Sequence, residues 1–206
     1  MVNKPYSQAC DNNKEPILSV LKQWLNKPML LLEVGSGTGQ HAAFFSQHLP
    51  HVQWQTSDLL ENHAGINAWC EEAIGAGVEN LLLPLILDVN QSEWPVCNVD
   101  CVFTANTCHI MSWDSVQQFI PYAADALVSG GLFCVYGPFN YPDEAGECQY
   151  TSESNAHFDS WLKQQNPVSG IRDITAIKML ANDAGFVLQQ DNAMPANNRL
   201  LVWRKV

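Results

Sequence analysis

The sequence predicts an α/β protein with a doubly wound, mostly parallel sheet of seven strands that ends in an antiparallel hairpin. Short apolar runs alternate along the chain with segments of helical periodicity, which is the pattern of a parallel sheet covered by helices. Runs such as Leu81-Leu82-Leu83 are apolar at every position, as expected for strands buried on both faces. The last two apolar runs, 186–190 and 200–203, have a short connection, which favours an antiparallel pair.

The first half of the chain is predicted to alternate regularly. Apolar residues with a spacing of three and four predict helices over 14–25, 40–49 and 66–74. Apolar runs between them predict strands over 30–34, 52–57, 81–87 and 99–104.

The second half is predicted to be less regular. A helix over 116–127, stopped by Gly130-Gly131, precedes a strand over 132–136 that Gly137-Pro138 closes. Residues 139–170 are rich in Asn, Ser, Pro and aromatic residues, and are predicted to be a loop or partly helical insertion. Asp173 is predicted to cap a helix over 174–184 that ends at Gly185.

Length and composition favour one domain over 1–206. The 206 residues are 47% hydrophobic and 15% charged, which is typical of a globular chain. No apolar run approaches the roughly 20 residues that span a bilayer, and the first residues lack the apolar core of a signal peptide. We therefore expect a cytoplasmic protein. The seven cysteines are scattered without a C-x-x-C pair, so we expect free thiols and no metal site.

The net charge argues against nucleic-acid and membrane partners, although a bound partner subunit could supply positive charge. The net charge is −11, with only 10 Lys and Arg residues and no basic cluster. Nucleic acids and anionic membrane surfaces are bound largely through cationic side chains. A small-molecule partner is therefore expected, and the oligomeric state is left open.

The run from Leu30 to Gly39 is the most informative stretch. A strand ends in Glu33 and opens into Gly35-Ser36-Gly37-Thr38-Gly39, directly before a helical pattern. This G-x-G-x-G spacing differs from the dinucleotide fingerprint and lacks the Gly-Lys-Ser/Thr of a phosphate loop. A carboxylate here would repel a pyrophosphate but suits the amino group of an amino acid. The alternative is a tight turn that binds no ligand.

This pattern resembles the first motif of class I S-adenosylmethionine (SAM)-dependent methyltransferases, which have a Rossmann-like fold. The whole chain also resembles an uncharacterised methyltransferase-like family, domain of unknown function 938. The matching residues are Asn13-Lys14-Glu15-Pro16-Ile17-Leu18, Gly35-Ser36-Gly37-Thr38-Gly39-Gln40-His41, Asn106-Thr107-x-His109-Ile110, Tyr136-Gly137-Pro138-Phe139 and Gly170-Ile171-Arg172-Asp173. The resemblance implies that Glu33, Gly35, Ser36, Gly37, Thr38 and Gly39 bind SAM.

Polar residues also follow the later strands, at the edge where open α/β sheets bind ligands. Asp58 is placed to accept hydrogen bonds from ribose hydroxyls, or it caps the next helix. By resemblance, Asp88 receives the adenine amino group and Val89 packs on the ring, although Asp88 alone also suits a turn. By the same resemblance, Asn106 lies beside the methionine part of the cofactor.

Residues for the methyl acceptor are expected after the fourth and fifth strands and in the insertion, which we expect to lie over the acceptor site. His109 is the candidate general base, with a structural histidine as the alternative. Tyr136 faces either the pocket or the core. Trp113 either walls the pocket or belongs to the core. Loop residues Asn155, Arg172, Asn197 and Asn198 are candidate substrate contacts.

Two of these loop assignments have structural alternatives. Arg172 suits a bidentate clamp on a substrate carboxylate, but it also suits a salt bridge to Asp173 or a brace for a loop. Asn197 and Asn198 also suit the geometry of a hairpin turn.

Three functions are compatible with these residues. The leading hypothesis is a SAM-dependent methyltransferase that acts on a small molecule. The second is a SAM-binding regulatory or interaction protein without catalysis, since no known acceptor motif is present. The third is a nicotinamide-dependent oxidoreductase, which ranks last because it requires a different glycine spacing and no Glu33.

Overall fold

The computed structural model describes residues 4–206. Residues 1–3, part of the segment from which the lack of a signal peptide was predicted, lie outside that range. The described residues form six α-helices: α1 (Gln8–Trp24), α2 (Gln40–His48), α3 (His63–Gly75), α4 (Trp113–Ala126), α5 (Glu153–Gln165) and α6 (Ile174–Asp183). The strands are β1 (Met29–Val34), β2 (Val52–Asp58), β3 (Leu81–Ile86), β4 (Val99–Ala105), β5 (Leu127–Pro142), β6 (Cys148–Gln149), β7 (Arg172–Asp173), β8 (Phe186–Met194) and β9 (Asn198–Lys205).

The sheet confirms the predicted fold class. Its main path has seven strands in the order β3-β2-β1-β4-β5-β9-β8. The first five are parallel, and β9 and β8 add an antiparallel hairpin. Strands β6 and β7, of two residues each, also pair with β5. The strand order reverses direction between β1 and β4, and open α/β sheets bind ligands at such a switch point.

Each face of the sheet has its own hydrophobic core, since neighbouring strand residues point to opposite faces. Helices α1, α2 and α3 cover one face, where Ile17, Phe45 and Ile66 pack on Trp54 and Phe103. Helices α4 and α6 cover the other face, where they pack on a second set of strand residues that includes Val102, Phe133 and Trp203. Helices on both faces hold the parallel strands in place and leave their carboxyl ends free to form a site.

Three helices begin earlier than predicted, and one of them is α3, which starts at His63 instead of residue 66. Helix α1 starts at Gln8 instead of residue 14, because the Ser7 side chain accepts a hydrogen bond from the amide of Cys10 and caps it. Helix α4 starts at Trp113 instead of residue 116, capped in the same way by Ser112. The added turns of α1 are mostly polar, so apolar periodicity does not reveal them.

The predicted bounds of the fifth strand are wrong at both ends. Strand β5 begins at Leu127, directly after α4, and runs through Gly137 and Pro138 to Pro142. Pro138 is tolerated because pairing with β9 ends at that residue and pairing with β7 begins at the next. The strand therefore continues past the predicted stop and leads the chain into the 139–170 segment.

The 139–170 segment contains the end of β5, strand β6 and helix α5. The Ser152 side chain caps α5 by accepting a hydrogen bond from the Asn155 amide over 3.1 Å. In the hairpin, both strands extend further than predicted, to a one-turn 3-10 helix (Pro195–Asn197). Asp173 caps α6 as predicted, by accepting from the Thr175 amide over 2.7 Å.

Two further properties of the described residues concern the cysteines and membranes. All seven cysteines are free. Over residues 4–206, no helix has both the length and the apolar character needed to cross a membrane.

Gly39 offers a test of how tightly α2 packs on α3. Its φ is +89°, and a Cβ there would lie 3.0 Å from Ile66 Cα and 3.1 Å from Ile66 O. We expect Gly39→Ala to lower the free energy of unfolding by about 2 kcal/mol in urea denaturation, because backbone must shift as well as φ. Gly75→Ala is the matched control: it meets no atom within 4 Å and should be neutral or slightly stabilising. Equal effects of both variants would contradict this packing.

Candidate functional site

A cavity of about 1110 Å³ opens at the carboxyl ends of the parallel strands. Residues that end or follow β1, β2, β3 and β4 line one side, and they include 34–38, 87–90 and 105–107. The other side is lined by the start of α1, the segment after β4, helix α5 and the β8–β9 turn. Ligand pockets are typically about 300–1000 Å³, so this volume accommodates a nucleoside and a second small molecule together.

The glycine-rich loop is held closely against the end of β2. The amides of Gly35 and Ser36 both donate to the carbonyl oxygen of Ser57 over 3.0 Å, and the amide of Gly37 donates to Asp58 Oδ2 over 2.7 Å. Gly35 has a φ of +75°, and a Cβ there would lie 2.8 Å from Thr107 Oγ1. Position 35 therefore requires glycine on two grounds, its backbone conformation and the approach of the loop after β4.

Gly37 faces open space within the cavity wall. Its φ is +58°, and a Cβ there would meet no atom within 4 Å. The backbone is therefore bare on its cavity side, which allows a ligand to approach the loop closely. Ser36 and Thr38 also line the cavity, whereas Gly39 does not.

Glu33 lies behind the glycine loop instead of in the cavity wall. Its Oε2 accepts hydrogen bonds from Ser36 Oγ over 2.9 Å and from Trp54 Nε1 over 3.1 Å. Burial raises the pKa of Glu33 to about 7, although these two donors act in the opposite direction. The sequence analysis predicted that this carboxylate contacts the ammonium group of a ligand. In the structure Glu33 points to the same face of the sheet as Trp54, and it contacts the cavity wall only through its hydrogen bond with Ser36.

Asp58 lines the cavity and organises the turn after β2. Its Oδ2 accepts from Gly37, while its Oδ1 accepts from the amide of Leu59 over 2.8 Å and from Asn62 Nδ2 over 2.7 Å. A carboxylate oxygen has two lone pairs, so Oδ2 keeps capacity for one further donor.

Asp88 and Val89 line the cavity together with Leu87 and Leu59. Asp88 Oδ1 accepts from the backbone and side chain of Asn90, both over 2.9 Å, which forms the turn that the alternative interpretation foresaw. The surroundings combine apolar side chains with carboxylates, which suits a flat heterocycle that carries hydrogen-bond donors.

Asn106 adopts a left-handed backbone with a φ of +60° at the end of β4, and its amide donates to the carbonyl of Tyr136 over 2.8 Å. Asparagine tolerates this conformation better than most residues. The bend directs the chain into the 107–111 segment along the cavity.

His109 and Tyr136 both line the cavity and are buried. Burial, with a smaller contribution from the charge of Arg172, lowers the pKa of His109 to about 4. Burial raises the pKa of Tyr136 to about 12, against the opposing effect of hydrogen bonds from Asn13 and Asn198. Near pH 7 the imidazole is therefore neutral and can accept a proton, whereas the phenol remains protonated.

The predicted substrate residues divide between the cavity and its surroundings. Asn155 and Asn198 line the cavity, and Asn155 Nδ2 donates to the Asn197 carbonyl over 3.3 Å. Asn197 does not line the cavity, and its Nδ2 donates to Oγ of the lining residue Ser154 over 3.5 Å. Trp113 packs against the core beneath α4, as its alternative interpretation proposed, and does not line the cavity.

Arg172 braces a loop and does not line the cavity. Its guanidinium donates to the carbonyls of Cys108 over 2.9 Å and Val168 over 3.1 Å, and also to that of Met111. These three bonds use Nε and both N–H groups of Nη2, so a substrate carboxylate would have only Nη1 to pair with, on a side chain that lies outside the cavity lining. This arrangement corresponds to the loop-bracing alternative, while Asp173 caps α6 instead of pairing with Arg172.

The segment 169–172 holds four consecutive carbonyls of the loop that carries His109. Arg172 binds the carbonyls of Cys108 and Met111, at the two ends of this run. Between them, the amide of Gly170 donates to His109 O over 2.9 Å, and Ser169 Oγ donates to Ile110 O over 2.6 Å. Asp159 of α5 in turn accepts from the Ile171 amide over 2.6 Å. The candidate base is thus positioned by hydrogen bonds that connect three separate segments.

Sequence reasoning missed several cavity residues because they come from distant elements. Helix α1 contributes Cys10 and Asn13, and His41 Nε2 lies 2.6 Å from Asn13 Oδ1. Helix α5 and the loop after β4 contribute an apolar wall of Ile110, Met111, Phe158 and Trp161. The signals in the sequence were the polar early turns of α1, the aromatic content of 139–170 and the family motifs that include Asn13, His41 and Ile110.

The brace formed by Arg172 predicts two effects of Arg172→Gln. The free energy of unfolding should fall by about 1–3 kcal/mol, because buried carbonyls lose a charged donor. The pKa of His109 should rise from about 4, but stay below its ordinary value because burial is the larger cause. Urea denaturation and NMR titration of the imidazole test both effects. Arg204→Gln, which removes one exposed bond to Gly130, is the control. An unchanged His109 titration would contradict the electrostatic role.

The raised pKa of Glu33 predicts how stability depends on pH. Below about pH 4.5, Glu33 is protonated in both the folded and the unfolded chain. Between about pH 4.5 and pH 7, Glu33 ionises only in the unfolded chain. The folded state therefore loses stability as the pH rises through this range. Glu33→Gln should remove this loss and gain about 3 kcal/mol relative to the native chain between pH 4 and pH 8. Glu15→Gln, on the exposed side of α1, should show no such gain. If the free energy of unfolding of Glu33→Gln depended on pH in the same way as that of Glu15→Gln, the burial argument would be contradicted.

The solved structures to which this chain is similar include methyltransferases. An O-methyltransferase family 2 protein from Planctomyces limnophilus, in complex with apigenin, matches with a TM-score of 0.78 and 17% identity over 95% of this chain and 57% of that one. An O-methyltransferase family protein from Burkholderia thailandensis has a TM-score of 0.76 and 14% identity over 93% and 56%. Human N-acetylserotonin methyltransferase, in complex with SAM, has a TM-score of 0.70 and 16% identity over 96% and 53%.

These likenesses establish the class I methyltransferase fold. The chain spans just over half the length of each of these proteins. The model of a family described as "Protein of unknown function (DUF938)" matches residues 4–205, which is almost the whole chain. The chain therefore belongs to the DUF938 family.

Proposed function

We propose that the protein is a SAM-dependent methyltransferase that transfers a methyl group to a small-molecule acceptor. The observation that carries the proposal is the combination of charges in the cavity wall. Asp58, Glu61 and Asp88 line it, and in the part of the chain that the structure describes no Lys or Arg does. Such a wall suits a nucleoside without phosphates and disfavours the pyrophosphate of a nicotinamide cofactor.

The residues of the cavity fit the separate parts of SAM. Asp58 would accept from the ribose hydroxyls, and Asp88 from the adenine amino group, with Val89 and Leu87 against the ring. The bare backbone at Gly37 leaves room for the methionine part beside Asn106. Gly35 and Gly39 give the loop its backbone conformation, and Ser36 and Thr38 line the cavity. Glu33 would act as a positioning residue that holds Ser36.

Bound SAM supplies an electrophilic methyl group, so the protein needs to align the acceptor and exclude water. His109 would accept the proton of an acceptor hydroxyl as a neutral imidazole. The burial that lowers its pKa to about 4 keeps it unprotonated at pH 7 and also weakens it as a base. Tyr136 would donate a hydrogen bond, since its phenol stays protonated. Asn155 and Asn198 would orient the acceptor from α5 and the hairpin.

The proposal also covers the organisation of the chain and its location. The 139–170 segment would cover the acceptor, which is supported by the side chains of α5 in the cavity wall. The enzyme would act in the cytoplasm, since seven free cysteines are typical of a reducing compartment.

Calorimetric and thermal-shift titrations with SAM, S-adenosylhomocysteine and NADH test this function. We expect the first two ligands to bind and raise the melting temperature, and NADH to have no effect. Asp58→Asn should weaken SAM binding about tenfold or more, because an amide replaces a charged acceptor for ribose. Glu79→Gln, outside this cavity, is the control. Binding of NADH without SAM, or no effect of Asp58→Asn, would overturn the proposal.

A further inference from the structure

We propose that the methyl acceptor is an uncharged molecule with an aromatic ring, selected by Phe158 and Trp161 of α5. The inference rests on the proposed function, because it assigns the part of the cavity that lies beyond the cofactor residues. It adds a substrate class and two specificity-determining residues.

The acceptor side of the cavity has no ionic partner for an anion. The three carboxylates of the wall end or follow β2 and β3, on the cofactor side. The polar side chains around the acceptor space include His109, Tyr136, Asn155 and Asn198, which are neutral near pH 7. A carboxylate or phosphate would lose its hydration here without a compensating charge.

Arg172 does not supply the missing charge. It is near enough for its charge to depress the pKa of His109, but its guanidinium is turned to the carbonyls of Cys108, Met111 and Val168. Freeing it for an anion would break the brace of the 108–111 loop. This cation is therefore used for structure.

The apolar wall presents aromatic surface to the acceptor. Phe158 and Trp161 stack with ring centroids 5.9 Å apart and planes at 13°, and Phe158 meets His109 edge to face at 5.4 Å. Trp161 is 52% exposed and Ile110 is 56% exposed, although both line the cavity. A flat aromatic ring would cover this surface and gain ring-to-ring contacts beyond those of an aliphatic body of equal size.

Binding to the protein saturated with S-adenosylhomocysteine tests this class without requiring turnover. The probes are 2-naphthol, its anionic relative 6-hydroxy-2-naphthoate, and the saturated decahydro-2-naphthol. We expect 2-naphthol to bind about tenfold more tightly than the anion and about threefold more tightly than the saturated alcohol. If 6-hydroxy-2-naphthoate or decahydro-2-naphthol bound as tightly as 2-naphthol, or more tightly, the inference would be overturned.

Substitutions in the apolar wall test where 2-naphthol binds. Phe158→Leu and Trp161→Leu should each weaken 2-naphthol binding severalfold, while Gln164→Ala, exposed on the same helix and outside the cavity wall, should not. Ile110→Lys should reverse the preference and favour the naphthoate, because it adds a cation to the wall. Unchanged binding in the α5 variants, or no gain for the anion in Ile110→Lys, would contradict the assignment.

The cofactor titration separates this inference from the proposed function. If S-adenosylhomocysteine binds and 2-naphthol does not, the acceptor class is wrong and the methyltransferase proposal stands. If S-adenosylhomocysteine does not bind, the proposed function fails, and titration of the free protein with the same three probes still decides whether the cavity selects neutral aromatic rings.

Discussion

The attachment of the glycine loop to the end of β2 is the constraint on which the site depends. Strands β1 and β2 pair in parallel from Met29 to Val34, so both end at the same level. Ser57 then accepts the amides of Gly35 and Ser36, and Asp58 accepts the amide of Gly37. Because these bonds join the two strand ends directly, the bare loop backbone and the Asp58 carboxylate are brought to one wall of the cavity.

A second set of hydrogen bonds organises the opposite wall. Segment 169–172 occupies the carbonyls from Cys108 to Met111 and is itself attached to α5 through Asp159. Buried carbonyls need such partners. The loop that carries His109 and the helix that carries Phe158 and Trp161 are consequently connected, and the candidate base and the aromatic wall keep a defined relation to each other.

Local patterns in the sequence predicted seven of the nine strands and five of the six helices of the described residues. They also located polar residues directly after the apolar strands, whereas the cofactor roles of Asp88, Val89 and Asn106 came from the family resemblance. Non-local contacts were not predictable in the same way. The early turns of α1 are polar, and nothing near Arg172 indicates that its guanidinium binds carbonyls 61 and 64 residues away. Glu33 could be placed beside the loop, but its burial against Trp54 depends on the pairing of β1 with β2.

A crystal structure of the protein grown with S-adenosylhomocysteine tests the central claim most directly. The account predicts that adenosine lies between the Asp58 and Asp88 carboxylates, with the homocysteine part over Gly37. The sulfur would then face the space bounded by His109 and Phe158. A nucleoside bound elsewhere, or bound in the cavity with its ribose away from Asp58, would contradict the account.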